Sequence, residues 1–176
     1  MEGEYLRTPD DARLSYQNQF SAIPASLPYR PAQQTPRPQI VGTQTATVMG
    51  RAGDEVFCDK YGRIKVRFRW DRAHTSAGDD SCWVRVAQPW AGKGFGSVQI
   101  PRVGQEVIID FQDGDPDCPL VLGSVYNAEQ MPPYQLPDQA SHSGFKSRYM
   151  GTQYNASEIR FADTSGAERL HMASDN

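Results

Sequence analysis

No apolar stretch in this chain approaches the eighteen or so residues of a membrane span. The opening, MEGEYLRTPDDARLSY, is acidic and has no apolar run, so it is not read as a Sec leader. Any export is therefore expected to use a route that reads no N-terminal signal. Positive charge is not in excess either: the formal net charge is −3, which argues against nucleic acid or an anionic membrane as the default partner. Hydrophobic residues make up 38%, below the roughly 45–50% of ordinary globular chains, so part of the 176 residues is expected outside a conventional core. Cysteine is scarce. The three (Cys58, Cys82, Cys118) have no CxxC spacing and are expected to be free and mostly buried.

What the chain does have is glycine and proline, fifteen and thirteen, spread along its length and favouring short strands and turns over long helices. Residues 43–125 read as five strands. The second, over residues 63–71, alternates most clearly. Ile64, Val66, Phe68 and Trp70 point one way and are the candidate barrel core; Lys65, Arg67, Arg69 and Asp71 point the other. The remaining strands are expected over residues 43–51, 82–88, 104–112 and 118–126. Gly123 lies inside the last of these and marks a bulge or barrel bend. Asp113 to Asp117, DGDPD, supplies the turn between the last two. Five such strands suit a closed barrel of the oligonucleotide/oligosaccharide-binding (OB) type, within an all-β fold. The interval PWAGKGFGSVQIPRV is too rich in Gly and Pro for the helix often found there, and an irregular loop is expected.

On either side the pattern weakens. Residues 1–40 end in Pro24, Pro28, Pro31, Pro36 and Pro38, the spacing of an extended strap. YQNQF (Tyr16 to Phe20) is expected as a lone strand whose partner lies outside the chain. Residues 128–158 read as a polar connector. Then EIRFADTSGAERLHMAS places Ile159 and Phe161, and Leu170 and Met172, on one face of a hairpin. A two-stranded hairpin is marginal in water, so that face is expected to be covered by other copies of the chain.

Chemistry is hard to find. His74, His142 and His171 are scattered, with no HExxH and no zinc-finger spacing, so no metal is expected. Asp113, Asp115 and Asp117 imitate a calcium loop, but Pro116 falls inside it and Ser124 occupies the twelfth position, where an EF-hand needs a glutamate. Asp138, Ser141 and His142 have the residue types of a hydrolytic triad without a nucleophile elbow. GKGFG, at Gly92 to Gly96, lacks the order of a phosphate loop. No catalytic residue and no cofactor are assigned, and the chain is not expected to be an enzyme. Nucleic-acid binding through Lys65, Arg67 and Arg69 beside Trp83, Trp90 and Phe95 is the main rival reading. Ten Lys/Arg against eleven Asp/Glu between Val41 and Asn127 leave no general electropositive groove for it.

The same residues carry a family resemblance. FSAIPASLPYRP, GTQTATVMG, YGRIKVRFRWDR, SCWVRVAQPWAGKGFG, PRVGQEVIIDFQDGDPDCPLVLGSVYN, MPPY, SGFKS and EIRFADTSG together resemble the valine-glycine repeat (VgrG) proteins, the spike of the bacterial type VI secretion apparatus. The resemblance implies a layout like a contractile-phage tail hub and needle. Residues 1–40 would be the exit from a hub, 41–127 an OB neck, 128–158 a connector and 159–176 the first hairpin of a trimeric β-prism. It implies a non-catalytic, membrane-puncturing homotrimer that carries effectors. Its partners would be the tube protein, a PAAR-type tip-cap protein, and effectors or adaptors, with no nucleic acid and no stable membrane anchor. It would assemble in the cytoplasm and leave through the apparatus. On this reading the tube-docking and cap-docking residues lie outside the chain, and Ile159, Phe161, Leu170 and Met172 face the trimer axis. A contractile-phage baseplate spike has the same architecture.

Overall fold

The computed structural model describes residues 2–7, 14–73, 81–151 and 154–175, and His74 falls outside them. The described residues form ten strands and one 3₁₀ turn, so the fold is all-β. Among them no helix is long and apolar enough to cross a membrane. Residues 1–37 and 38–176 are separate compact units.

In the first unit β1 (Glu2–Arg7) pairs antiparallel with β2 (Leu14–Gln19), with Tyr5 opposite Tyr16. This corrects the expectation that YQNQF pairs outside the chain. A second short polar strand upstream carries no apolar alternation to announce it. Residues 20–43 contain no strand and are almost wholly exposed.

The second unit begins with β3 (Gln44–Met49), β4 (Lys65–Phe68), β5 (Arg85–Val86), β6 (Glu106–Phe111) and β7 (Pro119–Val125). Their order in one sheet is β4-β3-β6-β7-β5. All neighbours are antiparallel except β5 and β7, which run parallel. The sheet curls because one short segment reaches both of its edges. Val84 exchanges backbone hydrogen bonds with Ile64, at 2.8 and 2.9 Å, just before β5 joins β7. Inward positions alternate with wet ones, as a one-sided sheet requires. Ala46 and Val48, Ile64 and Val66, Val107, Ile109 and Phe111, with Val84 and Val121, make one buried cluster. The pairing of β6 with β7 shifts between Ile108, opposite Gly123, and Ile109, opposite Val121. Leu122 is therefore the extra residue of a bulge, where the strand bends.

Two of the expected strands are shorter than their alternation suggests. β4 ends at Phe68, where the Asp71 amide turns back to the Phe68 carbonyl at 3.1 Å. Trp70 thus lies beyond the strand and is 61% exposed, which corrects its assignment to the core. Its ring stacks on Phe68 at 4.9 Å and its indole N–H donates to Gln44 Oε1 at 2.9 Å. Phe68 itself is partly buried against the cluster. The third expected strand keeps only Arg85 and Val86 in a ladder, because residues 82–83 precede the Val84 bridge and after Val86 only the Ala87 amide still reaches β7, at the Val121 carbonyl, 2.8 Å. Cys58, Cys82 and Cys118 are free but exposed rather than buried, since each lies outside the paired strands. The loop before β6 contains no helix; a small bridge joins Ala91 to Gly96.

The largest departure is in the expected connector. Residues His142–Lys146 form a strand, β8, that pairs with β9 (Ser157–Ala162), which in turn pairs with β10 (Arg169–Ser174). The C-terminal hairpin is therefore one part of a three-stranded sheet built from the chain's own residues.

Candidate functional site

The two faces of the three-stranded sheet are chemically opposite. Phe161 lies opposite Leu170, Ile159 opposite Met172, and Phe145 opposite Ile159. Directly opposed residues share a face in an antiparallel ladder, so these five side chains form one apolar surface. It is open: Phe145, Ile159, Phe161, Leu170 and Met172 are 68%, 41%, 45%, 62% and 70% exposed. A shallow groove between Phe145, Ile159 and Met172 continues to Ser147, Ser157 and Ser174. Tyr149 closes that end through hydroxyl contacts with Ser174 at 2.7 Å and Ser157 at 3.3 Å.

The other face carries His142, Glu158 and Arg160, which the chain shields with its own residues, and Lys146, Arg169 and His171, which are exposed. Tyr134, from the segment before β8, meets the His142 ring edge-on at 5.9 Å. Burial pushes the Tyr134 hydroxyl above its ordinary range, and the nearby Glu158 carboxylate adds to the rise. Glu158 and Arg160 pair at 3.6 Å. Three polar side chains are shielded on one face while five large apolar ones stand in water on the other. That inversion of ordinary burial marks an interaction surface.

The turn between β9 and β10 is held from β8's side. Ser141 and Thr164 share a hydroxyl contact at 3.0 Å, and the Asp163 amide donates to the Ser141 carbonyl at 3.1 Å. Ser141 is thus tied to Thr164 while His142 packs on Tyr134, and the residue types of a triad are not assembled into one. Among the described residues no group of three or more His, Cys, Asp or Glu is placed to hold a metal ion. The DGDPD turn holds itself: the Asp115 amide donates to the Gln112 carbonyl at 2.9 Å and the Asp117 amide to Asp115 Oδ1 at 3.0 Å.

On the curled sheet, the basic stripe that runs along β4 and just past its end is partly neutralised. Arg69 pairs with Glu106 and donates from Nε to Thr45 Oγ1 at 2.8 Å, and the Lys65 ammonium lies 5.4 Å from the Trp83 ring centroid. Trp90 and Phe95 meet edge-on at 5.7 Å within their own loop. Asp59 organises the turn into β4 by accepting from the Tyr61 and Arg63 amides and the Arg63 guanidinium. Burial pushes its carboxyl up, but the hydrogen bonds from Arg63 and the Tyr61 amide, with the Arg63 charge, together more than offset this and hold it below the usual range.

Sequence reasoning placed Ile159, Phe161, Leu170 and Met172 by alternation, and the structure puts all four on the open face. Phe145 and the whole of β8 were missed. In HSGFK one apolar residue stands among polar ones, so no period of two can be counted.

Residues 44–126 match the family described as the type VI secretion system/phage-baseplate injector OB domain. The chain is 51% identical over 163 residues to the type VI secretion system spike protein VgrG1a of Pseudomonas aeruginosa, an alignment covering 92% of this chain and 25% of that protein. It is 45% identical over 157 residues to the spike protein VgrG3 of Vibrio cholerae, covering 89% of this chain and 15% of that one. A third relative, the actin cross-linking toxin VgrG1 of Vibrio cholerae, is 43% identical over 159 residues, covering 90% of this chain and 14% of the toxin. The chain spans a quarter or less of the length of these relatives.

Proposed function

Over the stretch it spans this chain belongs to the VgrG family of spike proteins, and on that premise we propose that it is a non-catalytic part of a homotrimeric, membrane-puncturing spike. One observation carries the reading. The C-terminal sheet shields His142, Glu158 and Arg160 with Tyr134 on one face and leaves five large apolar side chains uncovered on the other. Three copies turning that face inward would bury Phe145, Ile159, Phe161, Leu170 and Met172 about a common axis. They would form the first rung of a prism stiffened by backbone hydrogen bonds and apolar packing. No turnover is needed for such a part.

In this reading residues 1–40 lead out of a hub, 41–127 form the neck, and the prism begins at β8 rather than at residue 159. The tube protein, a PAAR-type cap and effectors or adaptors would bind parts of the longer relatives that this chain does not match. The protein would assemble in the cytoplasm and leave through the type VI apparatus. The toxin's name describes a protein of which this chain matches 14%, so cross-linking is not carried over. A contractile-phage baseplate spike is the second reading, because the family description covers both; identity of about half to named secretion spikes favours the first.

Sedimentation at rising protein concentration tests the seam. Wild-type chains should form trimers, and Phe161→Asp combined with Leu170→Asp should abolish them. Monomers at every concentration, or trimers indifferent to the two aspartates, would remove the axial assignment.

A further inference from the structure

The curled sheet and the β8–β9 hairpin are linked through one ion pair. Glu55 lies in the loop between β3 and β4, and Arg102 in the loop before β6. Arg102 Nη1 lies 3.2 Å from Glu55 Oε2. Each partner then reaches a backbone group far along the chain. Glu55 Oε1 accepts from the Gly151 amide at 2.5 Å, across 96 residues, and Arg102 Nη2 donates to the Arg148 carbonyl. The two loops are also tied to each other, by the Val103 amide on the Glu55 carbonyl at 3.0 Å. Arg102 is fixed further by its own amide, which donates to Gln105 Oε1 at 2.8 Å.

The receiving end is a definite place in the fold. Ser147 and Ser157, then Tyr149 and Asn155, continue the β8–β9 pairing beyond the strands, with amide-to-carbonyl distances of 2.8 and 2.9 Å. Arg148 lies within this extension and Gly151 just beyond it, so the ion pair grips the loop end of the hairpin. Exposed ion pairs contribute little by themselves. Here each charge also makes a charge-assisted hydrogen bond to backbone, and both side chains are largely shielded, 23% exposed for Arg102 and 33% for Glu55. Removing the carboxylate would leave the Gly151 amide without its acceptor and the guanidinium with only the Arg148 carbonyl.

We propose that Glu55 and Arg102 are positioning residues, a clasp that sets the direction in which the C-terminal sheet leaves the barrel. A part that transmits thrust must not swivel where two modules meet. A carboxylate and a guanidinium, each bonded to the other and to backbone, remove that freedom whatever side chains the loop carries. The clasp lies within one chain, so it does not depend on the trimer seam.

Amide hydrogen exchange and residual dipolar couplings of the labelled 176-residue chain test this. In the wild type one alignment tensor should fit the amides of residues 44–126 and 142–174 together. In Glu55→Ala the Gly151 amide should exchange roughly tenfold faster, as expected when a charged acceptor is lost, and the two parts should need separate tensors. Exchange at Val107 and Ile109 should stay slow. Glu55→Gln keeps an acceptor and should fall between the two. Should Glu55→Ala lose core protection, Arg102→Ala is read instead, with two tensors expected. Arg69→Ala, which breaks an ion pair within the barrel, should change neither quantity. Unchanged Gly151 exchange, or a single tensor in the Glu55 or Arg102 variant, overturns the proposal.

Discussion

Asn127, just past the end of β7, donates a 2.9 Å hydrogen bond to Glu106 at the start of β6. The same carboxylate receives Arg69 from beyond β4, so one side chain ties three segments of the barrel together. Those partners hold the Glu106 carboxyl below its usual range, the Asn127 hydrogen bond first and the Arg69 bond next.

Acid should therefore loosen the barrel through this residue. A carboxyl whose folded value is depressed stabilises the fold fully above its unfolded value, here the 4.5 of an unperturbed glutamate, and loses that stabilisation as pH falls through the folded value. The melting temperature of the wild type should drop more steeply below pH 4.5 than that of Glu106→Gln, and the two slopes should agree above it. Parallel curves below 4.5 would show that the network contributes nothing.

Ile109 and Trp70 should respond very differently to truncation. Ile109 is fully buried, and Ile109→Ala should cost about 2–5 kcal/mol in denaturant unfolding. Trp70 is mostly exposed, and Trp70→Ala should cost about 1 kcal/mol, the value of its stacking on Phe68. Equal losses would return Trp70 to the core.

Gly144 should tolerate no side chain. A Cβ there would sit 2.1 Å from the Ile159 carbonyl oxygen of the neighbouring strand, and its φ of +153° already favours glycine. Gly144→Ala should detach β8 from β9, speeding amide exchange at Phe161 while leaving Val107 protected. Normal protection in both strands would show that the backbone shifts at little cost.

Phe145 extends the proposed seam to the strand that sequence reasoning missed. Phe145→Asp should weaken self-association in sedimentation without lowering the melting temperature of the barrel, because the ring is 68% exposed in the single chain. Association as strong as wild type would confine the seam to β9 and β10.

Much of this architecture was legible in local pattern. Val107, Ile109 and Phe111 alternate with wet neighbours, as do Ile64 and Val66, because a strand with one buried face repeats every two residues. The same rule put Ile159, Phe161, Leu170 and Met172 on one face of the last hairpin. It failed at Trp70, where alternation continues past the residue at which pairing stops, since periodicity reports a direction and not a partner. It also gave no sign of β1 or β8, whose polar composition carries no period.

Local alternation in the amino-acid order thus settled that the described residues are all-β, roughly where the five strands of the curled sheet lie and which hairpin face is apolar. Tertiary structure alone decided that β8 completes the C-terminal sheet, that Tyr134 shields its polar side, and that Glu55 meets Gly151 across 96 residues. Side-chain alternation is a property of neighbours along the chain. The β8 pairing and the Glu55 contact end on backbone groups, which every residue possesses and no composition reveals.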